Sequence, residues 1–361
     1  MTTTEATSRT AGTVAELSRT RSLRQVLQIQ SFQILLVLLV IFLIFAALAP
    51  EVFPTWGNVR QIIQNVSILG VLGIGMTFVI VTSGIDLSVG SNLVFSGVVA
   101  AKVMQAMGGS GWGTAIVGIF VAVGCGLGWG LLNGVLIAKA KVPPLIVTLG
   151  TLGAALGLAQ VITGGVDIRE VPEVLQDTIG YGNVPGTTLP TISLIAMVFI
   201  LLFGIVLHRT RFGLYTFAVG SNEESARRVG VKVDRQLISI YVLSGGLAGV
   251  AGILSLSQYG TTAIAGQSAT NLNVIAAVVI GGTSLFGGVG TIFGTVVGLF
   301  IPAVLQNGFV IVGIQPFWQQ VAVGAVLVLA VYVDQRRRAA AARGHSTKAG
   351  GKKTFFGRRS H

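Results

Sequence analysis

Ten apolar stretches run through this 361-residue chain, each near the length of about 20 residues that a helix needs to cross a bilayer. They lie at roughly 33–49, 62–81, 86–107, 112–138, 145–163, 190–208, 237–257, 270–286, 290–309 and 316–333. Only 10% of the residues are charged and 52% are apolar, whereas a soluble domain carries about 25% charged residues. Hydrocarbon leaves no water to satisfy backbone groups, so only helices and closed barrels can span it. A barrel would show short alternating segments, and these runs do not alternate. The chain therefore reads as all-α, a polytopic membrane protein with about ten transmembrane helices. Residues 1–30 form a polar head, 31–335 the transmembrane domain, and 336–361 a basic tail. Gln33–Ala49 reads as a retained first helix and not as a cleaved leader.

The net charge of +12 could point to nucleic acid, but its placement points elsewhere. With the N-terminus inside, 21 of the 24 basic residues fall on the cytoplasmic side, the exceptions being Arg60, Lys102 and Arg169. Asp167, Glu170, Glu173 and Asp177 then lie outside. This is the positive-inside pattern, and it favours an even number of spans with both termini cytoplasmic. No nucleic-acid partner is expected. The basic tail is suited to contact with anionic membrane lipid or to solvation as a disordered segment.

Glycines recur at a spacing of four: Gly126, Gly130 and Gly134 in one span, Gly290, Gly294 and Gly298 in another. Such rows let helix backbones approach closely. Two apolar blocks are also interrupted, at Thr82–Gly90 and at Gly281–Gly290. Their comparable positions suggest an internal repeat of two halves, with a pathway where the halves meet.

Little in the chain suits catalysis. His208, His345 and His361 with the single Cys125 do not make a metal cluster. No phosphate-binding loop with its Lys and Ser/Thr occurs, so the chain is not expected to be an enzyme or to hydrolyse ATP. Asp86 is the one carboxylate within or at the edge of a span, beside Ser83, Gly84, Ser88 and Gly90. A charge there is costly and marks a functional candidate. It can cap the third span through the Ser88 amide, gate a pathway, or relay protons. Neutral polar residues, among them Asn65, Asn92, Asn271 and Asn273, can line a wet path for a hydroxyl-rich solute or bond between helices. Asp86, Ser88, Asn92, Asn271 and Asn273 are the candidates for pathway or gating.

The loop at 209–236 holds a charged island, Gly220–Val231. Its sequence predicts a short helix with Ser221 as N-cap and Glu224 completing a capping box. Glu223 and Glu224 would face the positive end of the helix dipole, and Arg227 and Arg228 the negative end. Gly230 is placed for a left-handed C-terminal conformation. So short a helix is not stable alone and needs neighbours or a partner.

The run Ala218–Val231 resembles the cytoplasmic coupling loop of the ribose-type (monosaccharide) permeases of bacterial ABC importers. Ser83–Gly90 resembles that family's first block and Val279–Gly288 its last, and the similarity covers roughly residues 35–335. The resemblance implies a permease subunit of the bacterial cytoplasmic membrane that translocates a monosaccharide. It implies two permease copies, two ATPase subunits that bind ATP and Mg in this chain's stead, and an extracytoplasmic sugar-binding protein. Gly220, Asn222, Glu223, Glu224, Ala226, Arg227 and Gly230 would enter a groove on the ATPase. Branched-chain amino-acid ABC permeases share the plan. An ion-coupled secondary transporter using Asp86 is the reading from a different class.

Overall fold

The computed structural model describes residues 30–264, 270–315, 318–329, 331–332 and 335–336. Nearly all of the polar head and of the basic tail lies outside them. The described residues form helices throughout, with one isolated bridge between Asn183 and Pro190. In chain order they are α1 (Gln30–Leu48), α2 (Trp56–Val81), α3 (Val89–Met107), α4 (Trp112–Ala138) and α5 (Pro144–Thr163). After one short helical turn at Glu173–Leu175 and a π-helical turn at Gln176–Gly180 there follow α6 (Thr191–Arg209), α7 (Arg211–Ser221), α8 (Glu223–Arg228), α9 (Val233–Tyr259), α10 (Thr270–Ile280), α11 (Ile292–Ile311) and α12 (Trp318–Leu329). Seven of these helices, α2 to α6, α9 and α11, are long and apolar enough to cross a membrane. Three shorter apolar helices, Gln33–Leu48, Thr270–Ile280 and Trp318–Leu329, accompany them.

Several boundaries differ from the sequence reading. α2 begins six residues before position 62, because Thr55 caps it through the Asn58 amide and its polar outer turns are helical. The third span starts at Val89 and not at 86, since residues 82–88 leave the helix. The stretch 270–286 is helical only to Ile280, where Gly281 and Gly282 end the run. α7, expected as loop, is a helix whose Thr210 cap accepts from the Gly213 amide.

α2 is the central post. It is buried along most of its length and packs on α6, α9, α10 and α11. The most extensive pairing joins α4 to α9, and glycine makes it possible. A Cβ on Gly126 would strike the Gly245 carbonyl oxygen, and one on Gly130 the carbonyl of Tyr241. Bare backbone therefore meets bare backbone, the close approach that small residues permit in lipid. Many apolar side chains of α1, α5 and α6 point outward instead, as with Leu39, Val161 and Leu201.

The bundle has two distinct ends. At one, the start of α2 meets the 164–190 segment, where Arg60 Nη2 donates to Tyr181 O at 2.8 Å and Gln64 Nε2 to Gly180 O at 3.0 Å. Asn307 Nδ2, near the end of α11, donates to Asn58 Oδ1 at 2.8 Å on the same side. At the other end the 139–143 turn meets the start of α9, with Lys141 3.0 Å from Asp234. Lys139, Arg209, Arg211, Arg227, Arg228, Lys232 and Arg235 also belong to that basic end.

Backbone proximity makes a sharp prediction. Gly126→Ala should destabilise the folded protein by about 1–3 kcal/mol through overpacking. Gly128→Ala, two residues on and with nothing within 4 Å of a new Cβ, should be neutral or slightly stabilising. Thermal unfolding of the detergent-solubilised variants checks both.

Candidate functional site

The charged island is a corner between two helices. α7 runs to Ser221, so the N-cap of α8 is Asn222 (φ −163°, ψ 105°), whose Oδ1 accepts from the Ser225 amide at 2.8 Å. The capping box expected from Ser221 and Glu224 is not formed, because Ser221 is still inside α7 and the helix opens one residue later. Glu223 and Glu224 lie in the first turn and Arg227 and Arg228 in the last. They pair along the helix, Glu223 with Arg227 at 3.1 Å and Glu224 with Arg228. Arg227 also reaches Asp234 of α9 at 3.0 Å. Hydrogen bonds to Asp234 and then Glu223 push the Arg227 guanidinium further up, so it stays charged. Gly230 takes φ +90° just past the helix, a left-handed conformation that favours glycine. Ala226 turns inward and packs with Val219, Val231 and Val233. The charged side chains remain exposed.

The end of α7 at this corner is pressed into the bundle. A Cβ on Gly220 would collide with the Val81 carbonyl oxygen at the end of α2, and would lie 2.8 Å from the Gly288 amide nitrogen. Gly288 N–H itself donates to Val81 O at 2.9 Å. Ser83, in the first break, donates from Oγ to Phe286 O of the second break at 2.8 Å, with a longer contact of 3.4 Å to Gly220 O. Ser83 holds φ +63°, a strained value for a residue with a side chain. Three segments that are far apart in sequence, 81–83, 220–221 and 286–288, thus share one junction.

Asp86 lies just beyond this junction and is 2% exposed. Its Oδ1 accepts from Ser88 N–H at 2.9 Å and Ser88 Oγ at 2.6 Å, and its Oδ2 from Ser244 Oγ of α9 at 3.2 Å. Asn133 Nδ2 of α4 donates to Ser88 Oγ at 2.9 Å. The carboxylate therefore ties the start of α3 to α4 and α9; its bond to the Ser88 amide closes a turn just ahead of the helix, whose N-cap, Ser88, makes no side-chain capping bond, because the helix opens at Val89 and not at 86.

Of the remaining candidates, Asn271 Oδ1 accepts from the Gly90 amide at 2.6 Å, so α10 satisfies a free amide at the start of α3. Asn92 donates to Gly126 O at 3.4 Å and accepts from Ser96 Oγ. Asn273 is half-buried, away from this network. Ser83, Asn133 and Ser244 were not among the candidates. Asn133 and Ser244 are isolated polar residues flanked by apolar and small ones, a pattern shared with ordinary interhelical bonding. Ser83 could have been found from its place in the Gly-interrupted break.

Comparison with known proteins identifies the family. The profile of the family described as "Branched-chain amino acid transport system / permease component" matches residues 58–331. The chain belongs to this family. It is 35% identical over 296 residues to the ribose import permease protein of Escherichia coli (strain K12), covering 81% of this chain and 90% of that protein. It is 37% identical over 287 residues to the fructose import permease protein of Rhizobium meliloti, covering 78% of each. It is 36% identical to the L-arabinose ABC transporter permease protein of Azospirillum brasilense, over 79% of this chain and 82% of that one. No solved structure matches. The matched span includes both breaks and the island.

The cap of α8 is open to test. Asn222→Ala should cost about 1 kcal/mol of local helix stability. Hydrogen exchange at the amides of Glu223–Val231 should speed up about fivefold, while α4 and α9 are unchanged.

Proposed function

We propose that this chain is the multi-pass membrane subunit of a bacterial ABC importer for a monosaccharide. A separate ATPase would power it and a soluble extracytoplasmic protein would deliver the sugar. The observation that carries the reading is the α7–α8 corner. It offers an exposed, self-capped charged helix on one side and is seated on the junction of both helix breaks on the other. A partner that displaced α8 would act through α7 on Val81 and Gly288 together, and so on α2 and on the loop between α10 and α11. The ribose, fructose and arabinose permeases resembling this chain support the sugar assignment.

In this reading α1, α10 and α12 complete ten spans, residues 31–335 form the permease body, and the basic end of the bundle faces the cytoplasm with both termini. The two breaks, brought face to face, mark two repeated halves. Gly220, Asn222, Glu223, Glu224, Ala226, Arg227 and Gly230 make the element that enters the ATPase groove, and 209–236 is the coupling loop. Two copies of the chain would enclose the path, with Asp86, Ser88, Asn92, Asn271 and Asn273 shaping its gate and lipid around the outer helices. ATP and Mg belong to the ATPase. The chain is a transport permease component and not an enzyme.

Asp86 favours a fixed role over ion coupling. Both of its oxygens are held by hydroxyl or amide donors, and a proton relay needs a chain of ionisable groups.

Two measurements test the reading. Uptake of a monosaccharide into proteoliposomes should require the separate ATPase and ATP, should persist when the proton gradient is collapsed, and should survive Asp86→Asn in part. Uptake without any ATPase would sink it. Second, Glu224→Arg combined with Gly230→Val should reduce co-purification of the ATPase while leaving membrane insertion intact. Normal binding and stimulation in that variant would remove α8 from the coupling role.

A further inference from the structure

The outer turns of α2 carry a stripe of carboxamides that neither the junction nor the corner uses. Asn58, Gln61 and Asn65 recur at i, i+3 and i+7, which sets them on one face of the helix. Gln306 and Asn307 of α11 lie opposite, across a cleft of about 370 Å³ that Thr55 also lines. That volume falls within the range of roughly 300–1,000 Å³ of small-molecule clefts. The rest of the lining is aliphatic, and no charged side chain takes part.

Hydrogen bonds already present hold Asn58 and Asn307 in place, while Gln61, Asn65 and Gln306 keep carboxamide groups to offer to the cleft. Asn58 Nδ2 donates to Phe53 O at 2.8 Å, and Asn307 Nδ2 donates to Asn58 Oδ1 at 2.8 Å. Asn307 Oδ1, at the end of this relay, is sealed from solvent and has no hydrogen-bond partner among the described residues. Such an acceptor is unfavourable until something donates to it. Tyr259 Oη donates to Asn65 Oδ1 at 3.1 Å. This orients the amide and leaves its Nδ2 with no protein acceptor among the described residues.

Uncharged donors and acceptors on two facing walls match hydroxyls, each of which both donates and accepts. An ammonium or carboxylate would enter without a counter-charge. We propose that this cleft is a binding subsite for a neutral polyol, in which Asn65 Nδ2 bonds to a hydroxyl of the incoming sugar. The inference rests on the transport reading above and extends it to a place on the outer end of the bundle.

The test uses the permease reconstituted with its ATPase and binding protein. Cys125→Ser removes the single native thiol, and Gln61→Cys, at an exposed position, supplies one in the cleft. Gln306→Cys is a second, independent reporter. Labelling by a membrane-impermeant maleimide is followed with a panel of pentoses and hexoses, ribose, fructose and arabinose among them, and with leucine. The sugar that is taken up should slow labelling about fivefold at both cysteines, and Asn65→Leu should lower protection and uptake together by a similar factor, the equivalent of one hydrogen bond. Sugar uptake with no protection at either cysteine overturns the subsite and leaves the transport reading standing. Protection by leucine equal to that by sugar overturns the polyol assignment. Uptake of leucine alone, or of none of the probes, overturns the transport reading and the subsite with it.

Discussion

Everything at the basic end of the bundle depends on one backbone hydrogen bond, from Gly288 N–H to Val81 O. A helix broken inside a membrane frees amides and carbonyls that lipid cannot satisfy. Here the two breaks satisfy each other, with Ser83 Oγ on Phe286 O as the second tie. Gly220 is wedged against the same carbonyl, at a distance that leaves no room for a Cβ. Contact between backbones is stiffer than contact between side chains, since no rotamer can change to absorb a displacement. The junction therefore moves as a unit with α7, or it comes apart.

Asp86 shows what it takes to keep a charge beside such a break. Leaving a carboxylate buried and unpaired would be prohibitive. Ser88, Ser244 and, through Ser88, Asn133 provide the hydrogen bonds, and they come from different helices. The network has a geometric consequence beyond its energy. It fixes the start of α3 against α4 and α9 at the depth where the tight Gly126–Gly245 contact already holds those two helices together. The carboxylate and the glycine contact thus secure one three-helix unit from two sides. Asn271 adds α10 to that unit by bonding the Gly90 amide.

Much of this was legible in the sequence, and the limits have physical causes. Hydropathy placed the long spans, because burial in lipid is a local property of each segment. The first six residues of α2 were missed because Asn58, Arg60 and Gln61 interrupt the apolar run. α7 was missed for the opposite reason. Its mixed composition, Arg211–Ser221, reads as loop, and it is the packing of Thr216 and Gly220 that makes it a helix of the core. The N-cap of α8 slipped from Ser221 to Asn222 because α7 claims Ser221. The two breaks and the island were each visible as motifs. That they meet was not, since no local pattern encodes a contact between residues so far apart in the chain.

The forces that seat α8 can be ranked. Its ion pairs are largely exposed, and surface pairs contribute little once side-chain entropy and salt are counted. Its cap, Asn222, contributes about 1 kcal/mol. Burial is larger: Val231 and Val233 are at most 9% exposed beside Ala226 and Val219, and full burial of a valine-sized side chain contributes roughly 1.5–3 kcal/mol. The apolar underside holds the helix, and the charged upper face is therefore not needed to hold it. Opposite charges at i and i+4 leave that face neutral overall but strongly patterned. Such a face discriminates between partners by the placement of charge more than by attraction at a distance.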